Sequence, residues 1–271
     1  EVLKKESGNF FVSPLSAETI LAFAQSGCKD ATAQEIRAAL LLPDDKDQVE
    51  VGIKNFLPRI KGDWVYEFPL AFTSKSNFYR TSTDVVQVDT MYIDHCMHRY
   101  FAYCACKELN AKFLELPFTG GDASMVIILP NEKEGLVALE NQIESVFRPR
   151  QLYEELIDVG IPKFKIESKI CFKQILQNLG VHKAFNEKEA DLSGIAGDKG
   201  DLVIDDVVQK TFVDVSEEGV EAAAATFAPV CVPLSGIIGE IPRFIADHPF
   251  IFYIKIKGVI AFAGRVTDPE K

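Results

Sequence analysis

Histidine and cysteine are concentrated in one short stretch, where they could together hold a soft metal ion. His95, Cys96 and His98 are followed by Cys104 and Cys106. Imidazole and thiolate groups are the usual zinc ligands in proteins. However, the spacing matches no standard zinc module, and in strand-like sequence His95 and His98 point to opposite faces. The pattern therefore favours core cysteines beside surface histidines, and we expect no metal and no other cofactor.

A nucleophilic Cys–His pair is the second chemistry that these residue types could support. The sequence contains no Gly-x-Ser-x-Gly elbow and no Gly-x-Gly-x-x-Gly loop. Cys231 lies in a long loop, but no cationic residue near it in sequence could stabilise its thiolate. The sequence therefore predicts a protein that is not an enzyme.

The third candidate for function is a segment of small side chains between two strand-like runs. Residues 217–226 read Glu217, Glu218, Gly219, Val220, Glu221, Ala222, Ala223, Ala224, Ala225 and Thr226. The four alanines could form an isolated helical turn. In an extended conformation, Val220, Ala222, Ala224 and Thr226 would instead share one small, uncharged face. Because alanine has a weak strand preference, we expect the segment to be exposed at rest and able to add conditionally to a sheet.

Helices are predicted mainly near the start of the chain. Ser13 can cap a helix that has Pro14 at its first position and ends near Gly27. Further helical patterns are Thr32–Leu41, Gln48–Leu57, Leu136–Val146 and Ile170–Leu179.

Strand patterns dominate from Trp64 onward. They comprise Phe78–Arg80, Val85–Val88, Tyr100–Cys106, Ala111–Leu116, Ser124–Leu129, Ile161–Ile166, two segments within Asp201–Val215, Phe250–Ile256 and Val259–Arg265. Helices followed mainly by strands predict an α+β fold with antiparallel sheets.

Composition limits the possible partners. The chain has 271 residues, 47% of them hydrophobic, and a net charge of −11. This acidity argues against binding nucleic acid or an anionic membrane, since neither would be attracted by a negative surface. No run approaches the ~20 apolar residues that cross a bilayer.

Residues 217–226 resemble the hinge of inhibitory serpins, and other stretches resemble the same family in chain order. These are Asn9–Ser16, Phe78–Arg80 with Val88–Met91 (similar to arthropod serpins), Pro162–Ile166, Phe244–Phe250 and Gly264–Val266. The resemblance implies one serpin-like α+β domain over residues 1–271, with a helical part (1–62), a strand-rich part (63–271) and an exposed reactive loop near 217–243. It also implies a monomer found in an extracellular fluid.

The resemblance implies that the chain inhibits serine proteases as a suicide substrate. A protease cuts the loop, the hinge inserts into the central sheet, and the attached protease is distorted. Counting along the loop from its two ends places the cut after Pro233 or after Ile238. We predict that the protease cuts the bond between Leu234 and Ser235. Leu234 favours a chymotrypsin-like or elastase-like protease, or some cysteine proteases. A trypsin-like target is disfavoured, because no Arg or Lys lies between Val220 and Glu240.

One departure from the family changes this expectation. Between Gly62 and Asp63 the family has several strands of the central sheet, with their surrounding helices, that this sequence lacks. We therefore expect an incomplete central sheet. The alternative function is a non-inhibitory serpin that is cleaved as a substrate or serves as a binding protein.

Overall fold

A computed structural model describes residues 7–42, 62–220 and 240–271. They fall into two compact units, each formed by separate stretches of chain. The first unit contains residues 12–60 and 168–211, and the second contains 6–11, 61–167 and 212–271, apart from the undescribed positions. The prediction of one domain over the whole chain stays a prediction.

The first helix of the first unit begins where the sequence predicts, and the second begins at Asp30, two residues before the predicted Thr32. Helix α1 covers Pro14–Gly27, and α2 covers Asp30–Leu40. The Ser13 hydroxyl accepts a hydrogen bond from the Ser16 N–H at 3.1 Å, which satisfies one of the free donors at the start of α1. Shorter helices follow later in the chain: α3 (Leu136–Glu140), α4 (Ile143–Val146) and α5 (Lys173–Asn178).

Thirteen strands lie in the described part of the chain. They are β1 (Phe10–Val12), β2 (Ser74–Tyr79), β3 (Val85–Ile93), β4 (Tyr100–Cys106), β5 (Ala111–Pro117), β6 (Ala123–Pro130), β7 (Tyr153–Leu156), β8 (Asp158–Pro162), β9 (Phe164–Cys171), β10 (Val208–Val215), β11 (Arg243–Ile245), β12 (Phe250–Ile256) and β13 (Val259–Val266). Among these residues the strands form a seven-stranded sheet (β1-β13-β12-β6-β5-β4-β7), a four-stranded sheet (β11-β8-β3-β2) and a two-stranded sheet (β10-β9). The strand pairs for which a register is defined are antiparallel, except for the parallel pair β11–β8. The predicted α+β class with antiparallel sheets is confirmed.

The seven-stranded sheet is buried on both faces at its centre. On β6, Met125 and Ile127 belong to a large core, the first core, which also includes Trp64. Val126 and Ile128 point the other way, into a second core that α3 and α4 help to form. The members of the second core are Cys106, Leu109, Ala111, Phe113, Val126, Ile128, Leu136, Leu139, Val146 and Ile251. This two-sided burial explains the nearly continuous apolar run of β6.

Several predicted boundaries are wrong. The helix predicted over Ile170–Leu179 begins only at Lys173, because the buried Ile170 continues the alternation of β9. The helix predicted over Leu136–Val146 is divided at Gln142, whose φ of −116° and ψ of 28° lie outside the helical region. The single strand predicted over Ile161–Ile166 is divided between β8 and β9.

Further differences concern short or isolated strands. Of the two strands predicted within Asp201–Val215, only β10 forms. Strands β7 and β11 are not predicted from sequence, since their four and three residues carry too little pattern. The helix predicted over Gln48–Leu57 lies outside the described residues. In the part of the chain that the structure describes, no helix is long and apolar enough to span a bilayer.

Candidate functional site

The structure describes only the front of the predicted hinge. Glu217, Glu218, Gly219 and Val220 are described, whereas residues 221–226 and the predicted bond between Leu234 and Ser235 lie outside the described residues. The hinge and reactive-bond assignments therefore stay predictions.

The chain reverses direction immediately after β10. Ser216 N–H donates to the Gly219 carbonyl at 2.9 Å, and Gly219 N–H donates back to the Ser216 carbonyl at 3.3 Å. Val215 and Val220 then form an antiparallel bridge across this turn. Gly219 has a φ of +151°, a conformation that residues with a Cβ rarely adopt. The turn thus places Val220 beside the end of β10.

A segment that follows Gly62 provides partners for the front of the hinge. Val220 N–H donates to the Gly62 carbonyl at 2.8 Å, and Trp64 N–H donates to the Glu218 carbonyl at 2.9 Å. Phe68 N–H donates to the Glu217 carbonyl at 2.9 Å. Glu217 and Gly219 are buried as a result. The expectation of an exposed hinge is wrong for these residues, because their backbone groups are paired with distant chain.

The same segment bonds to the end of β5 on its other side. Thr119 N–H donates to the Asp63 carbonyl at 2.8 Å, and Val65 N–H donates to the Pro117 carbonyl at 2.9 Å. Residues 62–68 therefore connect the front of the hinge to the seven-stranded sheet.

Trp64 is the hydrophobic anchor of this segment. It is 3% exposed, with its ring stacked on Phe118 at 4.8 Å and edge-on to Phe68 at 6.4 Å between centroids. Its indole Nε1–H donates to the Ser216 carbonyl at 3.0 Å. Trp64 and Phe68 are therefore buried together, and the indole also contacts the turn that starts the hinge.

Glu217 is held by two polar side chains. Lys163 Nζ lies 2.7 Å from Glu217 Oε2, and the Thr73 hydroxyl donates to Oε1 at 2.9 Å. Burial raises the pKa of Glu217, but the hydrogen bonds and the charge of Lys163 outweigh it and hold that pKa below its usual value. Lys163 and Thr73 were missed as site residues, since no local sequence signal links them to Glu217.

The sheet that contains β10, the strand before the predicted hinge, is small. In the described ranges it consists of β9 and β10, so β10 has one strand neighbour there. The expectation of an incomplete central sheet stays a prediction for the chain as a whole. The edge of β10 away from β9 is where a strand continuing from the turn at 216–219 would add.

Two of the histidines are held by contacts with other protein groups. Residues His95–Met97 form a 3-10 turn, so the assumption that this stretch is a strand is wrong. His95 Nδ1 lies 2.8 Å from Asp158 Oδ1, and the buried His248 donates from Nε2 to the Pro130 carbonyl at 2.8 Å. Among the described residues, no group of three or more His, Cys, Asp or Glu could hold a metal ion.

Comparison with known proteins agrees with this architecture. The family model described as Serpin (serine protease inhibitor) matches residues 59–269. Alaserpin of Manduca sexta is 34% identical over 245 residues, which cover 89% of this chain and 60% of that protein. Leukocyte elastase inhibitor of Homo sapiens is 37% identical over 222 residues, which cover 77% of this chain and 56% of that protein. The chain thus spans little more than half the length of the curated relatives it matches.

Solved structures give the same result. Serpin48 of the insect Tenebrio molitor, described as a highly specific serpin, is 41% identical with a TM-score of 0.89. That comparison covers 98% of this chain and 93% of the Serpin48 chain. The family model covers well over half of the sequence, and the chain belongs to the serpin family.

Proposed function

We propose that the chain inhibits serine proteases as a suicide substrate, with Leu234 and Ser235 on either side of the cleaved bond. The target is a chymotrypsin-like or elastase-like protease, or a cysteine protease of similar preference. The protein acts as a monomer in an extracellular fluid and is not itself an enzyme. Protease inhibition is what the family description and the name of the human relative state for those proteins.

The observation that supports this proposal is the turn at the end of β10. The Val215–Val220 bridge already pairs the two arms of a hairpin. After a cut near Leu234, residues from Val220 to Thr226 are free to extend that hairpin along β10. In that arrangement Val220, Ala222, Ala224 and Thr226 share a face, and none of them brings a charge into the sheet.

A second candidate function rests on the size of the sheet. Among the described strands β10 has only β9 as a neighbour, so beyond the contacts that residues 62–68 make with its front, an added strand would gain ladder hydrogen bonds on one side. Each such bond contributes about 0.5–1.5 kcal/mol net. With about half of the bonds missing, insertion is weaker, and the acyl-enzyme hydrolyses before the protease is distorted. The chain would then be a substrate that is cut at its loop.

One experiment separates the two functions. The purified chain is incubated with chymotrypsin or elastase, and the products are examined by denaturing gel and by mass spectrometry of the fragments. A covalent complex that resists denaturation supports inhibition, whereas cleavage near Leu234 without a complex supports the substrate function. If neither protease cuts between residues 226 and 240, the assignment of the loop is wrong.

Two variants act as controls. Leu234→Arg should transfer cleavage to trypsin, because the residue before the bond would then suit that protease. Val220→Arg places a charge where the hairpin must extend, at a cost of several kcal/mol if it is buried without a partner. It should abolish any covalent complex but leave the cleavage rate unchanged.

A further inference from the structure

Three helices of the first unit enclose an apolar groove. One wall is α1, the second is the end of α2, and the third is α5 with the residues on either side of it. Leu21, Ile175 and Leu176 are buried in these walls, whereas Leu41 and Leu179 are 90% and 50% exposed at the edge. The groove has a volume of about 250 Å³. None of its residues takes part in the proposed protease chemistry.

Glu18 is the one charged residue among the described residues that line this groove. The others are proline, alanine, leucine, isoleucine and phenylalanine. Although much of Glu18 is exposed, partial burial raises the pKa of its carboxyl above the usual value. In the described part of the chain, the Glu18 side chain makes no hydrogen bond and no ion pair. A carboxylate thus borders an apolar surface without a cation from those residues.

The end of α2 adds to the negative potential of the groove. This helix has eleven residues, and its last two, Ala39 and Leu40, line the groove. Carbonyl groups at the C-terminal end of a helix carry partial negative charge and favour a cation nearby. Arg37 lies in the same turn of α2 but does not line the groove. The charges at the groove therefore match a positively charged occupant, and its walls match an apolar one.

We propose that this groove binds small amphiphilic cations of the primary alkylamine class. The alkyl chain packs on Leu21, Ile175 and Leu176, and the ammonium group donates to the Glu18 carboxylate. Since a cavity of about 150 Å³ already holds benzene, this groove has room for a chain of about eight carbon atoms. An alcohol of the same length gains the apolar contacts alone, and a fatty acid is repelled by Glu18.

The test compares three probes of one chain length on the full chain. Octylamine, octanol and octanoate are titrated at neutral pH in about 150 mM salt, which screens the general acidity of the protein, and binding is followed by ligand-observed NMR. Octylamine should bind about tenfold more tightly than octanol, the equivalent of one charge-assisted hydrogen bond. Octanoate should bind more weakly than both.

Two pairs of variants locate the binding. Glu18→Gln should weaken octylamine about tenfold and leave octanol unchanged, whereas Glu187→Gln, at an exposed carboxylate outside the groove, should change neither. Ala39→Phe fills the groove and should weaken octylamine and octanol alike. Ala38→Phe is its matched control, because Ala38 is exposed on the same helix and does not line the groove.

The proposal is overturned if octylamine binds no more tightly than octanol, if Glu18→Gln binds octylamine as well as wild type does, or if Ala39→Phe has no effect. A dimer in gel filtration that Ala39→Phe dissociates would also overturn it, since a second copy would then occupy the groove. Circular dichroism shows whether each variant keeps its fold. If Ala39→Phe fails to fold, the comparison of octylamine with octanol in wild type and in Glu18→Gln decides the question.

Discussion

Lys163 Nζ lies 2.7 Å from Glu217 Oε2, and the Glu217 side chain is only 11% exposed. Lys163 lies between β8 and β9, so this ion pair fixes the front of the hinge to the start of the sheet that the hinge would extend. The backbone of Glu217 is held as well, by Phe68 N–H.

We expect Lys163→Met to lower the free energy of unfolding by about 1–3 kcal/mol, because Glu217 is left buried without its charged partner. Urea denaturation followed by circular dichroism measures the change. Lys169→Met is the matched control, since Lys169 is an exposed lysine on β9. Equal losses in the two variants would show that the ion pair adds nothing.

The Glu217 carboxylate should also make stability depend on pH. Its pKa is lowered in the folded protein from an ordinary value of 4.5, so its contribution is present above that value. The contribution is lost as the pH falls through the lower, folded-state pKa. The difference in unfolding free energy between wild type and Glu217→Gln should therefore shrink as the pH falls below 4.5. Other carboxylates titrate in both proteins and cancel in this difference. A difference that stays constant from neutral to acid pH would contradict the prediction.

Gly219 should tolerate no side chain. A Cβ built there would lie 2.1 Å from the Gly62 carbonyl oxygen and 2.7 Å from Asp63 Cα, both of which are backbone atoms that cannot move alone. Gly120→Ala is the control, because Gly120 has a φ of +98° but nothing within 4 Å of a built Cβ. The control should cost only about 1–2 kcal/mol for its backbone conformation. Gly219→Ala should lower the thermal midpoint further, and equal shifts would mean that the turn at 216–219 does not contact Gly62.

The fluorescence of Trp64 should report on the turn that starts the hinge. It is the only tryptophan, so its signal needs no separation from others. Acrylamide should quench it far more slowly than free tryptophan, since the ring lies between Phe68 and Phe118. Trp64→Phe keeps a ring but loses the hydrogen bond to Ser216, and we expect it to destabilise the protein by about 1 kcal/mol beyond the packing loss. Quenching as fast as that of the free amino acid would refute the burial.

Elements defined by local signals could be predicted from the sequence. The start of α1 follows from Ser13 and Pro14, whose cap and fixed φ act within one turn. Strands β12 and β13 follow from runs of β-branched and aromatic residues separated by a Gly-containing turn. In each case the information lies within a few residues of the element.

The candidate site depends on contacts that are distant in sequence, and for that reason much of it could not be predicted. The small side chains after Glu217 indicate an exposed loop, yet Glu217 and Gly219 are buried because residues 62–68 pair with them. The position of Lys163 beside Glu217 is set by the strand order of the sheets. A charged residue in the sequence shows that a partner is needed. It does not show which residue is that partner.

The position of β12 has a consequence for a chain that has been cut in its loop. Residues 240–271 include β12 and β13, and β12 lies inside the seven-stranded sheet between β13 and β6. Phe250 and Phe252 on β12 are fully buried in the first core. Removal of this fragment would open the sheet at its centre and expose both rings to water. A cut chain should therefore elute as one particle in gel filtration and separate into two polypeptides only after denaturation.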